Sequence, residues 1–186
     1  MATTDELKTQ VCRAVDALAG ELEAISHRIH ANPELCYEEE KAAAWLTEFL
    51  EQKGLSVERG VGGLPTAFRA SVPGSGAGPT IAIMAEYDAL PKIGHACGHN
   101  VIATSGAGAG AALAVALKTI PFPGTIQVIG TPAEEGGSGK VRLMEAGAFK
   151  GVEAALMIHP RCGTRIWRPS LGIIKLKVEF HGKAAH

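Results

Sequence analysis

Three short apolar runs, at residues 80–85, 125–130 and 154–158, each stop at a cluster of reactive side chains. The first delivers Glu86-Tyr87-Asp88, the second Thr131-Pro132-Ala133-Glu134-Glu135, and the third His159-Pro160. Runs of this length, continuous rather than alternating, read as strands buried inside a sheet. Helical periodicity separates them, which makes an α/β layered domain with a sheet covered on both faces. In open α/β sheets, sites gather beyond the carboxyl ends of the strands. Three loaded strand ends, together with His95-Ala96-Cys97-Gly98-His99-Asn100, therefore share one edge of the fold.

The rest of the pattern is consistent with that frame. Apolar positions at Leu7, Val11, Val15, Leu18, Leu22, Ile25 and Ile29 predict a helix over 5–30, stopped by Asn32-Pro33. A second amphipathic helix is expected over 38–53, ending at Gly54. Strands follow at 56–59 and 66–72, and Pro-Gly-Ser-Gly-Ala-Gly-Pro at 73–79 reads as a turn or short surface loop. The helix expected over 101–118 holds Gly106, Gly108 and Gly110. Each costs about 1 kcal/mol against Ala, so a helix that keeps three must lie very close to its neighbours. A short helix is expected over 140–146 and a half-buried alternating strand over 172–180.

A chain of 186 residues, 46% hydrophobic and 20% charged, has enough apolar material for one domain with a core. Its net charge of −1 provides no basic field for nucleic acid and no polybasic membrane anchor. No apolar stretch is long enough to span a membrane, and the first residues lack a secretory pattern. Cys12, Cys36, Cys97 and Cys162 have no framework spacing, so they read as thiols or ligands in a reducing cytoplasm.

Cys97-Gly98-His99 offers a thiolate and an imidazole two residues apart, with Gly98 free of bulk so that both can turn toward one ion. A buried inert thiol beside a surface histidine is the plain alternative. His95 is read as structural, since three ligands within five residues crowd one another. Adjacent Glu134 and Glu135 point differently, so one can bind metal while the other faces substrate as a general base. A solvated acidic loop is the alternative there. His159 alone reads as a core residue, but beside the others it becomes a further ligand. Asp88 either orients a ligand or starts the Ala-Leu-Pro turn. Glu86 is left unassigned. Sulfur, nitrogen and oxygen donors together suit Zn²⁺, with Mn²⁺, Co²⁺ and Ni²⁺ open.

Two rival readings fail on context. Gly106-x-Gly108-x-x-Ala111 fits a dinucleotide fingerprint on paper but lies inside a helix instead of at its start. The Gly-Gly-Ser-Gly-Lys segment ending at Lys140 lacks the leading Gly and trailing Ser or Thr of a P-loop, having Glu134 and Val141 there. A cysteine nucleophile at Cys97 with His99 as base aligns poorly and leaves Glu134-Glu135 without a role. A third reading, a non-catalytic protein that keeps the fold without turning over, stays open.

Taken together, Ile-His-Ala-Asn-Pro-Glu-Leu-Cys-Tyr-Glu-Glu, Glu-Tyr-Asp-Ala-Leu-Pro, His-Ala-Cys-Gly-His-Asn, Gly-Thr-Pro-Ala-Glu-Glu, Glu-Ala-Gly-Ala-Phe and Met-Ile-His-Pro resemble the M20 metallopeptidases, and within them the amidohydrolase branch. The resemblance implies a three-layer αβα zinc-peptidase-like catalytic domain with a largely parallel mixed sheet. Residues 1–170 would belong to that domain, and 171–186 would begin a lid domain whose remainder lies beyond this sequence. It implies two divalent metals per site, with Cys97, His99, Glu135 and His159 as ligands, Glu134 as general base and Asp88 as the orienting aspartate. His186 would match a lid histidine that reaches the active site of the other protomer, and Asn100 would lie near substrate. Asn100 stands where many relatives carry Asp, a change shared with the dipeptidase-like members. The activity implied is hydrolysis of a dipeptide with a basic C-terminal residue, or of an N-acyl amino acid, by a cytoplasmic homodimer. The resemblance also implies that one metal-ligand histidine lies outside these 186 residues, so that metal bound here alone is weak, partial or absent and activity is lost or nearly so.

Overall fold

The computed structural model describes residues 3–166, 172, 174 and 176–186. Helix α1 spans Thr4–His30 and opens on a capping box, in which the Thr3 side chain accepts from Glu6 N–H and the Glu6 carboxylate accepts from Thr3 N–H. It carries Asp5 and Glu6 in its first turn and Arg28 in its last, each sign suited to the helix dipole. Helix α2 spans Glu40–Gln52. Its first free amides, at Lys41 and Ala42, donate to the Glu34 carboxylate at 3.0 Å, so Asn-Pro-Glu both stops α1 and starts α2.

Five strands form one mixed sheet in the order β1-β2-β4-β3-β5, comprising β1 (Ser56–Arg59), β2 (Phe68–Pro73), β3 (Gly76–Ala85), β4 (Pro123–Gly130) and β5 (Ala154–Leu156). β1 and β2, and β2 and β4, pair antiparallel; β4 and β3, and β3 and β5, pair parallel. The parallel half supplies the loaded strand ends, because parallel neighbours finish at the same edge.

Helix α3 (His99–Ala116) lies on one face of the sheet, under α1 and beside α2. Its glycines have the packing role the sequence predicts. A Cβ on Gly106 would stand 3.0 Å from the Met84 carbonyl oxygen, one on Gly108 2.7 Å from Leu22, and one on Gly110 2.2 Å from Val128. The main core on this face joins Leu46, Leu50, Phe68, Tyr87, Ala107 and Val128. On the opposite face Arg69 donates to the Ala148 carbonyl at 2.7 Å. There a smaller cluster holds Val61, Leu64, Ala67, Leu143 and Ala148. Leu143 belongs to helix α5 (Gly139–Glu145), which follows the single turn α4 (Glu134–Gly137).

Three expectations need correction. β3 begins at Gly76, because the expected 73–79 turn pairs with β4 through Gly76 and Pro123. β5 is exposed rather than buried: among the described residues it pairs with β3 alone, and Leu156 is 56% exposed. The described residues of the expected strand at 172–180 form no ladder, and Ile174, Leu176, Val178 and Phe180 are all exposed; residues 173 and 175 lie outside the described residues. Alternation states which face a strand would bury, but burial requires an opposing surface.

Candidate metal centre

Four segments meet at the carboxyl edge of β3, β4 and β5. Beyond β3 the period of two continues, so that Tyr87 enters the core while Glu86 and Asp88 share the other side. Tyr87 stacks on Phe68 at 5.9 Å between ring centroids and donates to the Thr66 carbonyl at 2.7 Å. This anchor holds its two acidic neighbours in fixed directions. Gly98 caps α3 at φ 83°, a left-handed conformation that favours glycine, and a Cβ there would lie 3.0 Å from Pro160. The bare backbone thus lets His159-Pro160 close on Cys97, whose Sγ is 3.6 Å from His159 Nε2.

His99 is the hub. It is fully buried, with Nδ1 3.1 Å from Asp88 Oδ1 and Nε2 3.4 Å from Glu86 Oε2, 3.6 Å from Glu135 Oε1 and 3.8 Å from Glu134 Oε2. Asp88 accepts at its other oxygen from the Glu135 amide at 2.9 Å and from the Cys36 thiol at 3.5 Å. One carboxylate therefore orients His99 and ties the Glu134-Glu135 turn to it. Glu86, unassigned from sequence, is brought into the cluster and ion-paired to Lys140. The signal that marks it is its period-two partnership with Asp88.

The electrostatics are those of a site for a cation. Burial pushes the Cys97 thiol up to about 12, and the Glu135 and Glu134 carboxylates add to the shift. Burial alone would lower His99, but the Asp88 hydrogen bond and the charges of Glu86, Asp88 and Glu135 outweigh it and raise it. Burial would likewise raise Asp88; its bond to His99 and the amides of Glu135 and Glu134 hold it below the usual carboxylate range. Glu134 is raised by burial and by Glu86, with Lys140 opposing. A proton is favoured on the thiol, the imidazole and Glu134 for the same reason that a divalent ion would be: negative charge is crowded in low dielectric.

Two donor groups each have their ligand atoms within 4.8 Å of one another: Cys97, His99 and His159, and Glu86, His99 and Glu134. Donors bound at zinc distances in a tetrahedron stand roughly 3.3–3.8 Å apart, which matches the separations around His99 Nε2. Among the described residues, the buried Glu86 Oε2 and His99 Nε2 have no hydrogen-bond partner, as atoms directed at a cation would be. The residues present therefore fit a metal. His95 is buried outside both groups, with its ring 6.3 Å from that of His30.

Two expected residues are not brought in. Asn100 Nδ2 donates to Ser26 Oγ at 3.0 Å and so fastens α3 to α1. His186 is exposed and belongs to neither donor group. His159 is brought in beside Cys97 and His99, but as an exposed residue. All four cysteines are free.

A mixed α/β sheet whose strand ends present thiol, imidazole and carboxylate donors around one buried histidine defines a candidate metal-binding site. The chain belongs to peptidase family M20/M25/M40, whose model matches residues 82–184. It is 43% identical to the Xaa-Arg dipeptidase of Mus musculus, over all of this chain and 45% of that protein. It is 30% identical to the N-acetyl-L-cysteine deacetylase of Bacillus subtilis, over 92% of this chain and 45% of that one. Its fold superposes on a dinuclear metal binding peptidase of the M20 family, also from Bacillus subtilis, with a TM-score of 0.68, at 30% identity over 75% of this chain and 42% of that one. The chain thus spans less than half the length of these relatives. Among the described residues, no helix is long and apolar enough to cross a membrane.

Proposed function

We propose that this chain forms the metal-binding part of an amide-bond hydrolase whose substrate is a dipeptide with a basic C-terminal residue. The observation that carries the reading is the convergence of Cys97, His99, His159, Glu134 and Glu86 donor atoms at one sheet edge. In this reading Cys97, His99, Glu135 and His159 hold divalent metal, zinc foremost, two ions serving the complete site. When bound, such an ion polarises the amide carbonyl and stabilises the charge that develops on its oxygen.

The chain's own groups would act as follows. Asp88 holds the His99 ring through Nδ1, leaving Nε2 facing the cluster. Glu134, 42% exposed at its side chain and with its affinity for protons raised, takes a proton from the attacking water and passes it to the leaving amine. Glu135 is less exposed than Glu134, at 17%, which suits a ligand beside a base that must reach substrate.

The basic-residue preference draws on the likeness to the mouse Xaa-Arg dipeptidase. The likeness to the N-acetyl-L-cysteine deacetylase supports a second reading, hydrolysis of N-acyl amino acids. A cytoplasmic homodimer, with residues 1–170 in the catalytic domain, 171–186 starting a lid and His186 and Asn100 near substrate, completes the proposal. The test is a panel of basic dipeptides and N-acyl amino acids, assayed with and without chelator on a protein that contains this chain. Glu134→Gln is expected to abolish hydrolysis while metal content is unchanged. Undiminished hydrolysis by that variant overturns the mechanism.

A further inference from the structure

The Glu134-Glu135 turn is held from a distance by a segment that contributes nothing to the donor groups. Glu39, the residue before α2, is fully buried. Its Oε1 accepts from the Ala133 amide at 2.9 Å and from the Tyr37 amide at 2.9 Å, and its Oε2 accepts from the Thr66 hydroxyl at 2.8 Å. Ala133 has φ 58° and Tyr37 φ 67°, left-handed conformations that a side chain disfavours. One carboxylate therefore accepts from both of these strained residues. The Ala133 carbonyl is pinned as well, accepting from the Gly137 and Gly139 amides at 3.1 Å each. The Tyr37 hydroxyl donates to the Gly137 carbonyl, which closes the far end of the same turn.

We propose that Glu39 is a positioning residue. Its buried carboxylate, acting through the Ala133 amide, fixes the direction in which Glu134 and Glu135 leave the chain, and Tyr37 braces the other end of their turn. The geometry explains why a carboxylate is buried although, among the described residues, no cation is ion-paired to it. Two backbone amides and a hydroxyl converge there, and each would otherwise be left without an acceptor in a closed interior. It also explains how a four-residue turn without a side-chain cap of its own holds two like-charged side chains in different directions. Without the Ala133 anchor the residue would relax toward right-handed backbone, and the two carboxylates after it would swing away from His99.

The metal arm of the test rests on the proposed metal centre; the exchange arm does not. Glu39→Gln keeps an oxygen for both amides and an NH₂ group for Thr66, whereas Glu39→Ala removes all three partners. Leu50→Ala, on the buried face of α2, serves as a control for lost stability alone. In the metal-free 186-residue chain, Glu39→Ala is expected to speed hydrogen exchange at the Ala133 amide by about 10- to 100-fold, the loss of a charge-assisted hydrogen bond. Glu39→Gln is expected to stay close to the parent. With Co²⁺ as probe, in a protein that contains this chain and the remaining ligand, Glu39→Ala is expected to weaken binding by about tenfold or more and alter the visible spectrum, and Glu39→Gln to restore both. Leu50→Ala is expected to lower the melting temperature and leave the spectrum alone.

Unchanged Ala133 exchange in Glu39→Ala overturns the proposal whether or not metal binds. So does a Co²⁺ spectrum that Leu50→Ala alters as much as Glu39→Ala does. If a parent protein that contains this chain and the remaining ligand binds no Co²⁺ while the exchange result holds, the metal reading fails and the clamp on the turn stands.

Discussion

Replacing Gly110 with Ala sets two effects of opposite sign against each other, and the structure decides between them. On an exposed helix the change would stabilise by about 1 kcal/mol, because glycine loses more backbone entropy than alanine on folding. At Gly110 the added methyl would stand 2.2 Å from Val128 Cγ2, on the facing strand β4. Carbon atoms in ordinary contact lie about 3.5–4.0 Å apart, so α3 must back away by more than about 1 Å or Val128 must leave its rotamer. Val128 is fully buried, and its neighbours Ala107 and Phe68 sit in the same core. Overpacking of this kind costs about 1–3 kcal/mol. The net expectation is destabilisation of up to about 2 kcal/mol, a fall in Tm of about 2–4 °C per kcal/mol for a chain of this size. Val128→Ala removes the clashing methyl. In that background Gly110→Ala is expected to reverse sign and stabilise, a coupling of about 1–3 kcal/mol between the two sites. Urea titrations of the parent, both single variants and the double variant measure it. Stabilisation of similar size in both backgrounds would refute the claim that close approach of α3 to the sheet is what keeps glycine at this position.

Three further outcomes follow from the same structure. Because the Cys97 thiol lies near 12 and His99 is raised, metal must displace protons; apparent affinity should fall as pH falls, and calorimetry in buffers of different ionisation heat should show proton release. A pH-independent affinity between mildly acidic and neutral conditions would contradict it. The folded Asp88 carboxyl is depressed, so its stabilising contribution is complete above its unfolded value of about 3.9 and is lost as pH falls through the lower folded value. Asp88→Asn should therefore flatten the acid limb of metal-free stability curves. Tyr87→Phe leaves the Thr66 carbonyl without its buried donor and should cost about 1–3 kcal/mol, read from the urea midpoint.

Helices were legible in the sequence wherever periodicity ran long: α1, α2 and α3 lie within about two residues of where the apolar spacing puts them. The glycines of α3 were legible as a packing signal because their cost demands a reason. Legibility failed where structure depends on a partner. The exposure of β5 and of 172–180 could not be read from apolar composition, since what covers a strand is a tertiary fact. The turn α4 was hidden because left-handed Ala133 and Ser138 bracket it, and neither residue type announces that conformation. In the site, the motifs carried Cys97, His99, Glu134, Glu135 and His159 to one edge. They did not carry Glu86, whose claim rests on strand alternation continued past Ala85. Nor did they show that Asn100 faces α1, because its bond to Ser26 spans 74 residues of chain.

The central claim is that these side chains form a metal centre, and Cys97 tests it most directly because thiolate ligation has its own optical signature. Co²⁺ titrated into a protein that contains this chain and the remaining ligand should produce sulfur-to-cobalt charge-transfer absorption along with tetrahedral-type visible bands. Cys97→Ala should abolish the charge-transfer absorption, and Cys36→Ala should leave it in place. No Co²⁺ binding, or charge-transfer absorption that survives the loss of Cys97, would contradict the account.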